Sequence, residues 1–144
     1  MLFLSFFVSI MLLLIALLHL IWGLRIWWPM KNEQSLVRAV AGFRDASQMP
    51  PPAACIFVAL ALLVATSFAL ELGGFEIIGS RAITVVGSIG LSAFFLGRGF
   101  LGFTKYWAQL TPEEPFRLWD SKYYSPLCIA LGSSFAILTW LFIA

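Results

Sequence analysis

Four long apolar runs, parted by three polar stretches, divide the chain. They cover about residues 2–24, 53–72, 82–103 and 125–143. Each has the ~20 residues that an α-helix needs to cross the hydrocarbon core of a bilayer. Small residues recur inside them: Ala61, Ala65 and Ala69 at i+4 in the second run, Gly87, Ser88 and Ser92 in the third, Gly132, Ser133 and Ser134 in the fourth. Small side chains on one stripe let backbones approach, which is how helices pack where lipid removes the hydrophobic drive. The expected fold is all-α, a transmembrane antiparallel four-helix bundle in one integral membrane domain over 1–144.

The polar stretches predict shorter elements. Between about 29 and 52, Leu36, Val37, Val40 and Phe43 recur at helical spacing, with Lys31, Arg38 and Arg44 on other faces. That pattern predicts a short helix lying in the interface, weakened at Gly42. Pro50-Pro51-Pro52 stiffens the approach to the second span and pre-sets its first turn. The second loop, about 73–81, is short and Gly-rich. In the third, Thr111-Pro112-Glu113-Glu114 reads as a capping box, with Thr111 at N-cap and Glu114 at N3. Phe116, Leu118 and Trp119 give that turn an apolar side, and Pro115 keeps it short. Ser125-Pro126 reads as N-cap and N1 of the last span.

Composition agrees with the pattern. Of 144 residues, 61% are hydrophobic and only 11% charged, about half the charge of a soluble domain. The start, Met1-Leu2-Phe3-Leu4-Ser5-Phe6-Phe7, lacks a basic segment, and no small-x-small cleavage pattern follows, so the first run is expected to remain as a span.

The net charge of +2 is small, but it is unevenly placed. Arg25, Lys31, Arg38 and Arg44 flank the first loop, and Lys105, Arg117 and Lys122 the third, whereas the second has Arg81 alone. The positive-inside rule then makes the first and third loops cytoplasmic and puts both termini outside. The chain is expected in a bacterial inner membrane, with no nucleic-acid partner.

A rise of about 1.5 Å per residue sets depth. His19 lies about 25 Å along the first span and Arg98 about 24 Å along the third, near the same membrane face. Trp22, Cys55, Tyr124, Ser125 and Cys128 belong to that layer, while Asp120 and Lys122 stay with water. An arginine within a span is costly and marks a partner or a function. Arg98 can snorkel to phosphate, pair with Asp120, or hold a ligand. His19 can bond another span or titrate near neutrality. Tyr123 and Tyr124 suit interfacial anchoring, and Ser125 has no base beside it in sequence. The two cysteines would face a reducing compartment, so no disulfide is expected. One histidine and two cysteines without ligand spacing predict no metal, and no phosphate loop or HExxH predicts no cofactor.

Ala16-Leu17-Leu18-His19-Leu20-Ile21-Trp22-Gly23, together with Phe116-Arg117-Leu118-Trp119-Asp120 and Tyr124-Ser125-Pro126-Leu127-Cys128, resembles a family of small bacterial four-span membrane proteins of unknown function. Its pattern also has an arginine late in the third span, often followed by Gly-Asp-Phe; here the stretch reads Leu101-Gly102-Phe103. The resemblance implies the fold, the membrane location and a shared feature built on His19, Arg98, Asp120 and Tyr124.

The first functional expectation is a non-catalytic protein that binds a lipid headgroup or a partner protein through His19, Trp22, Arg98, Asp120, Tyr124 and Ser125. Its partners would be membrane lipids and a second membrane protein or further copies of itself. The alternative is an enzyme acting on a lipid-linked or isoprenoid substrate, with His19 as acid/base and Arg98 on an anionic group. A third reading is a small oligomeric transporter or ion conductor, disfavoured because polar groups do not continue across any span.

Overall fold

The computed structural model describes residues 1–144, and all its regular structure is helical, with no strand. Helix α1 covers Leu2–Gly23, α2 Glu33–Val40, α3 Pro52–Leu72, α4 Arg81–Leu101, α5 Lys105–Leu110, α6 Phe116–Trp119 and α7 Ser125–Ile143. A π-helical turn, Asp120–Tyr124, joins α6 to α7. Helices α1, α3 and α4 and the joined α6–α7 segment are long and apolar enough to cross a bilayer. The protein is therefore a multi-pass integral membrane protein, and helices α1, α3, α4 and α7 begin and end within two residues of the four apolar runs.

The bundle is built from two tight antiparallel pairs, α1 with α3 and α4 with α7, which meet each other more loosely. In the first pair the Ser5 hydroxyl donates to the Ala69 carbonyl at 2.6 Å. The buried stripe of α3 runs through Cys55, Ala59, Ala65, Ala69 and Leu72. Ala61, expected on that stripe, faces outward. Steps of four residues advance 400°, so a pure i+4 row drifts around the helix, and a mix of three and four stays on one face.

In the second pair, the Ser92 hydroxyl donates to the Gly132 carbonyl at 2.8 Å. A Cβ at Gly132 would sit 2.8 Å from the Leu96 nitrogen, so only glycine allows this approach. Phe95 and Phe135 stack between the helices with centroids 6.1 Å apart. Val8, Leu12, Leu131 and Leu138 complete the shared core, where close contact between side chains supplies the attraction that hydrophobicity cannot supply in lipid.

The end of the bundle that carries the first and third loops, here the basic end, holds a compact cap. Helix α2 starts where the Asn32 side chain accepts from the Ser35 N–H. Its apolar face does not lie open in the interface; Leu36 and Val37 pack into a cluster with Trp22, Met49 and Cys55. Two expected caps do not form. The Thr111 hydroxyl donates to the Trp107 carbonyl at 2.8 Å and closes α5, so it is not the N-cap of α6. Ser125 is itself helical, at φ −66° and ψ −45°, inside a continuous segment. In an α-helix the Pro126 ring would strike the Lys122 carbonyl. The π turn relieves this, with the Ser125 N–H reaching back five residues to the Asp120 carbonyl.

Candidate functional site

Arg98 is the centre of the basic end. It stands three residues before the end of α4, and one guanidinium nitrogen donates to Asp120 Oδ1 at 2.6 Å. Its other terminal nitrogen reaches the Ser125 hydroxyl at 3.4 Å. The guanidinium carbon lies 4.9 Å from the Trp107 ring centroid, a cation–π distance. The Trp107 indole N–H donates to Asp120 Oδ2 at 2.9 Å. Both carboxylate oxygens are thus engaged, and Asp120 is 1% exposed. Of the three readings of Arg98, the structure has the ion pair with Asp120.

Local sequence explains the assembly. Thr104 caps α5 by accepting from the Trp107 N–H at 3.2 Å, and this turn swings the indole over Arg98. The π turn carries Asp120 inward. Gly102 leaves the space in between: a Cβ there would collide with Ser125 Oγ and stand 2.8 Å from Asp120 Oδ2. Trp107 and Gly102 are the participants that sequence reasoning missed. The spacing Thr104-x-x-Trp107 was the available signal, a hydroxyl three residues before an aromatic.

Tyr124 and Ser125 meet this group differently. Ser125 is fully buried beside Arg98. The Tyr124 hydroxyl instead donates to the Ala39 carbonyl of α2 at 3.1 Å, and its ring leans on Phe116. The Glu113 N–H donates to the Gly42 carbonyl at 3.1 Å, Arg38 pairs with Glu113 at 3.3 Å, and Phe43 meets Trp107 edge-on. The first and third loops are therefore fastened to each other across the bundle.

His19 and Trp22 form a separate group on α1. His19 Nδ1 lies 2.8 Å from the Ile15 carbonyl; a carbonyl only accepts, so Nδ1 carries the hydrogen and Nε2 is the basic nitrogen. The ring tilts against Trp22 at 5.1 Å, and the Trp22 indole donates to the Trp28 carbonyl at 2.9 Å. No hydrogen bond, ion pair or ring contact joins this group to Arg98. The structure thus unites Arg98, Asp120 and Ser125, sets Tyr124 at their edge, packs Trp22 with α2 and leaves His19 beside Trp22 on α1. Cys55 lies in the Trp22 cluster and Cys128 against the α4–α7 core; both are free thiols. No three His, Cys, Asp or Glu side chains gather anywhere in the molecule.

Around this internally satisfied centre the rim is different. Lys31, Arg44, Lys105 and Lys122 are exposed and Arg117 half-buried, and none has an acidic partner within ion-pair distance. Among them stand exposed apolar and aromatic side chains, including Trp28, Phe43, Phe103, Tyr106 and Leu118. A Lys or Arg beside an aromatic ring at a span end suits the headgroup layer of a bilayer.

No curated protein and no solved structure matches the chain. Residues 12–135 match the family described as protein of unknown function DUF3995, and the chain belongs to that family.

Proposed function

We propose that the protein is a non-catalytic binding protein of a bacterial inner membrane, with its basic end on the cytoplasmic leaflet and anionic lipid headgroups as its ligands there. The observation that supports this reading is the contrast between centre and rim. Arg98 is engaged by Asp120, Trp107 and Ser125, whereas Lys31, Arg44, Lys105, Arg117 and Lys122 have no carboxylate partner. In this reading Arg98, Asp120, Ser125 and Tyr124 are framework: they fix the third loop so that its cations stand at headgroup depth. His19 and Trp22 do the same for the first loop. Juxtamembrane cations are attracted to anionic lipid by about 1 kcal/mol each.

The test is native mass spectrometry of the protein released in mild detergent and titrated with phosphatidylglycerol or phosphatidylcholine of matched chains. The expected result is preferential retention of the anionic lipid, lost when Lys105, Arg117 and Lys122 are changed together to Gln. Equal retention of both lipids, unaffected by those changes, would sink the reading. A stoichiometric protein retained instead of lipid would assign the same end to a partner.

A further inference from the structure

The end opposite the basic cap has one cationic side chain, Arg81, at the first position of α4. Its guanidinium donates through one nitrogen to the Phe142 and Ile143 carbonyls at the end of α7, at 3.3 and 3.1 Å. An arginine has five N–H donors. Those two bonds use one nitrogen and leave the donors on Nε and Nη1, and the residue is exposed. No side chain caps the α4 N-terminus either, because Ser80 makes no capping bond. A guanidinium with spare donors beside an open helix N-terminus is a phosphate-binding arrangement.

Two shallow, open lipid-facing grooves flank the same helix. One, about 400 Å³, lies between α4 and α7 and is lined by Ile89, Ala93, Leu96, Ala136, Trp140 and Ile143. The polar residues on its wall, Ser92 and Thr139, turn their hydroxyls to the Gly132 and Phe135 carbonyls. The other, about 430 Å³, lies between α3 and α4 and is lined by Phe68, Ala82, Ile83 and Val86. Both lead to Arg81. Ala82 and Ile83 follow it directly in the chain, and Ile143, at the mouth of the first groove, accepts its hydrogen bond. Between the grooves α4 presents a low ridge. A Cβ built at Gly90 or Gly97 meets nothing within 4 Å, and Ala93 lies between them.

We infer that this end binds one diacyl phospholipid astride α4, with its phosphate on Arg81 and the α4 N-terminus and one acyl chain in each groove. The shape selects this occupant. Two apolar grooves that converge on one cation match a ligand with two tails and one phosphate. A helix from a second copy would lie along the ridge and leave the grooves and the cation without a role. The site is at the bundle end away from the rim of free lysines and arginines, and it stands independently of that rim.

The experiment uses the full chain with Lys31, Arg44, Lys105, Arg117 and Lys122 already changed to Gln, which separates it from the basic end. Dioleoyl phosphatidylglycerol and dioleoylglycerol, identical in their chains, are titrated and bound lipid is counted by native mass spectrometry. One phospholipid per chain is expected, held about fivefold or more tightly than the diacylglycerol. Arg81→Gln removes that preference. Ala82→Trp and Ala93→Trp, which leave Arg81 in place, each fill a groove and weaken both lipids; helicity by circular dichroism checks their fold. The inference is overturned if the two lipids bind alike, or if folded Ala82→Trp and Ala93→Trp bind phospholipid as before. Phospholipid binding unchanged while Ala93→Trp alters the oligomeric mass also overturns it, and gives the ridge to a second copy.

Discussion

Helix α4 carries an arginine near each end, and the two are satisfied in opposite ways. Arg98 is held by side chains from other segments: Asp120, Trp107 and Ser125. Arg81 has no carboxylate; it donates to main-chain carbonyls of α7 and lies over the Phe142 ring, 5.6 Å from its centroid. The carboxylates differ in the same sense. Asp120 is bound by side chains, whereas Glu71 at the Arg81 end accepts from the Ile77 and Ile78 N–H groups at 2.6 and 2.7 Å. Main-chain partners fix the shape of a loop whatever its residues are, and they leave part of a guanidinium free. Side-chain partners tie distant segments together, and they consume the ionic groups. The first arrangement makes a surface that can still bind; the second makes a joint.

The largest effect is expected where the joint is broken. Asp120→Ala leaves Arg98 in a partly buried site without its carboxylate, and breaking such a pair costs about 3–5 kcal/mol. The thermal unfolding midpoint in detergent should fall steeply, and a midpoint unchanged within error would show that the joint holds nothing. Gly102→Ala tests the same place through volume alone. Its methyl group is driven against Ser125 and Asp120, and overpacking of this kind costs about 1–3 kcal/mol. If the variant is as stable as the parent, the close approach at Gly102 is not needed.

Tyr124→Phe removes one bond, to the Ala39 carbonyl, and keeps the ring on Phe116. A single neutral hydrogen bond contributes about 1 kcal/mol. Faster amide exchange should appear in α2, which this bond fastens, and protection unchanged there would separate the two loops. The smallest effect is expected at the opposite end. In Glu71→Gln the amide oxygen can still accept from Ile77 and Ile78, so exchange should rise only within 73–80 and the global midpoint should stay. Global destabilisation matching that of Asp120→Ala would erase the distinction between the two ends.

The sequence carries the fold more openly than the site, and the reason is physical. Lipid imposes length and apolarity on a span, so α1, α3, α4 and α7 are visible as runs. The apolar turn over Leu36 and Val37 is legible for the same reason, through its period. The joint depends instead on where short elements aim single side chains. Helix α5 has six residues, too few for a period to reveal Trp107, and Thr111-Pro112-Glu113-Glu114 has the pattern of a helix start although Thr111 closes α5. Ser125-Pro126 has the composition of a helix start, but its environment is the inside of a longer helix. Shared depth suggested one layer for His19 and Arg98; depth says nothing about direction around the bundle axis, and the structure gives them different neighbours.

The π turn has one more consequence, which concerns counting. Five residues separate Asp120 from Ser125, and in an α-helix that step turns them about 140° apart. The widened turn narrows that angle, and both meet Arg98. The spacing is therefore information in its own right. Rewinding this stretch as α-helix at its present length would keep every charged group of the joint and still rotate the carboxylate away from its arginine, whereas deleting one residue from 121–124 would restore i, i+4 spacing and keep the two on one face.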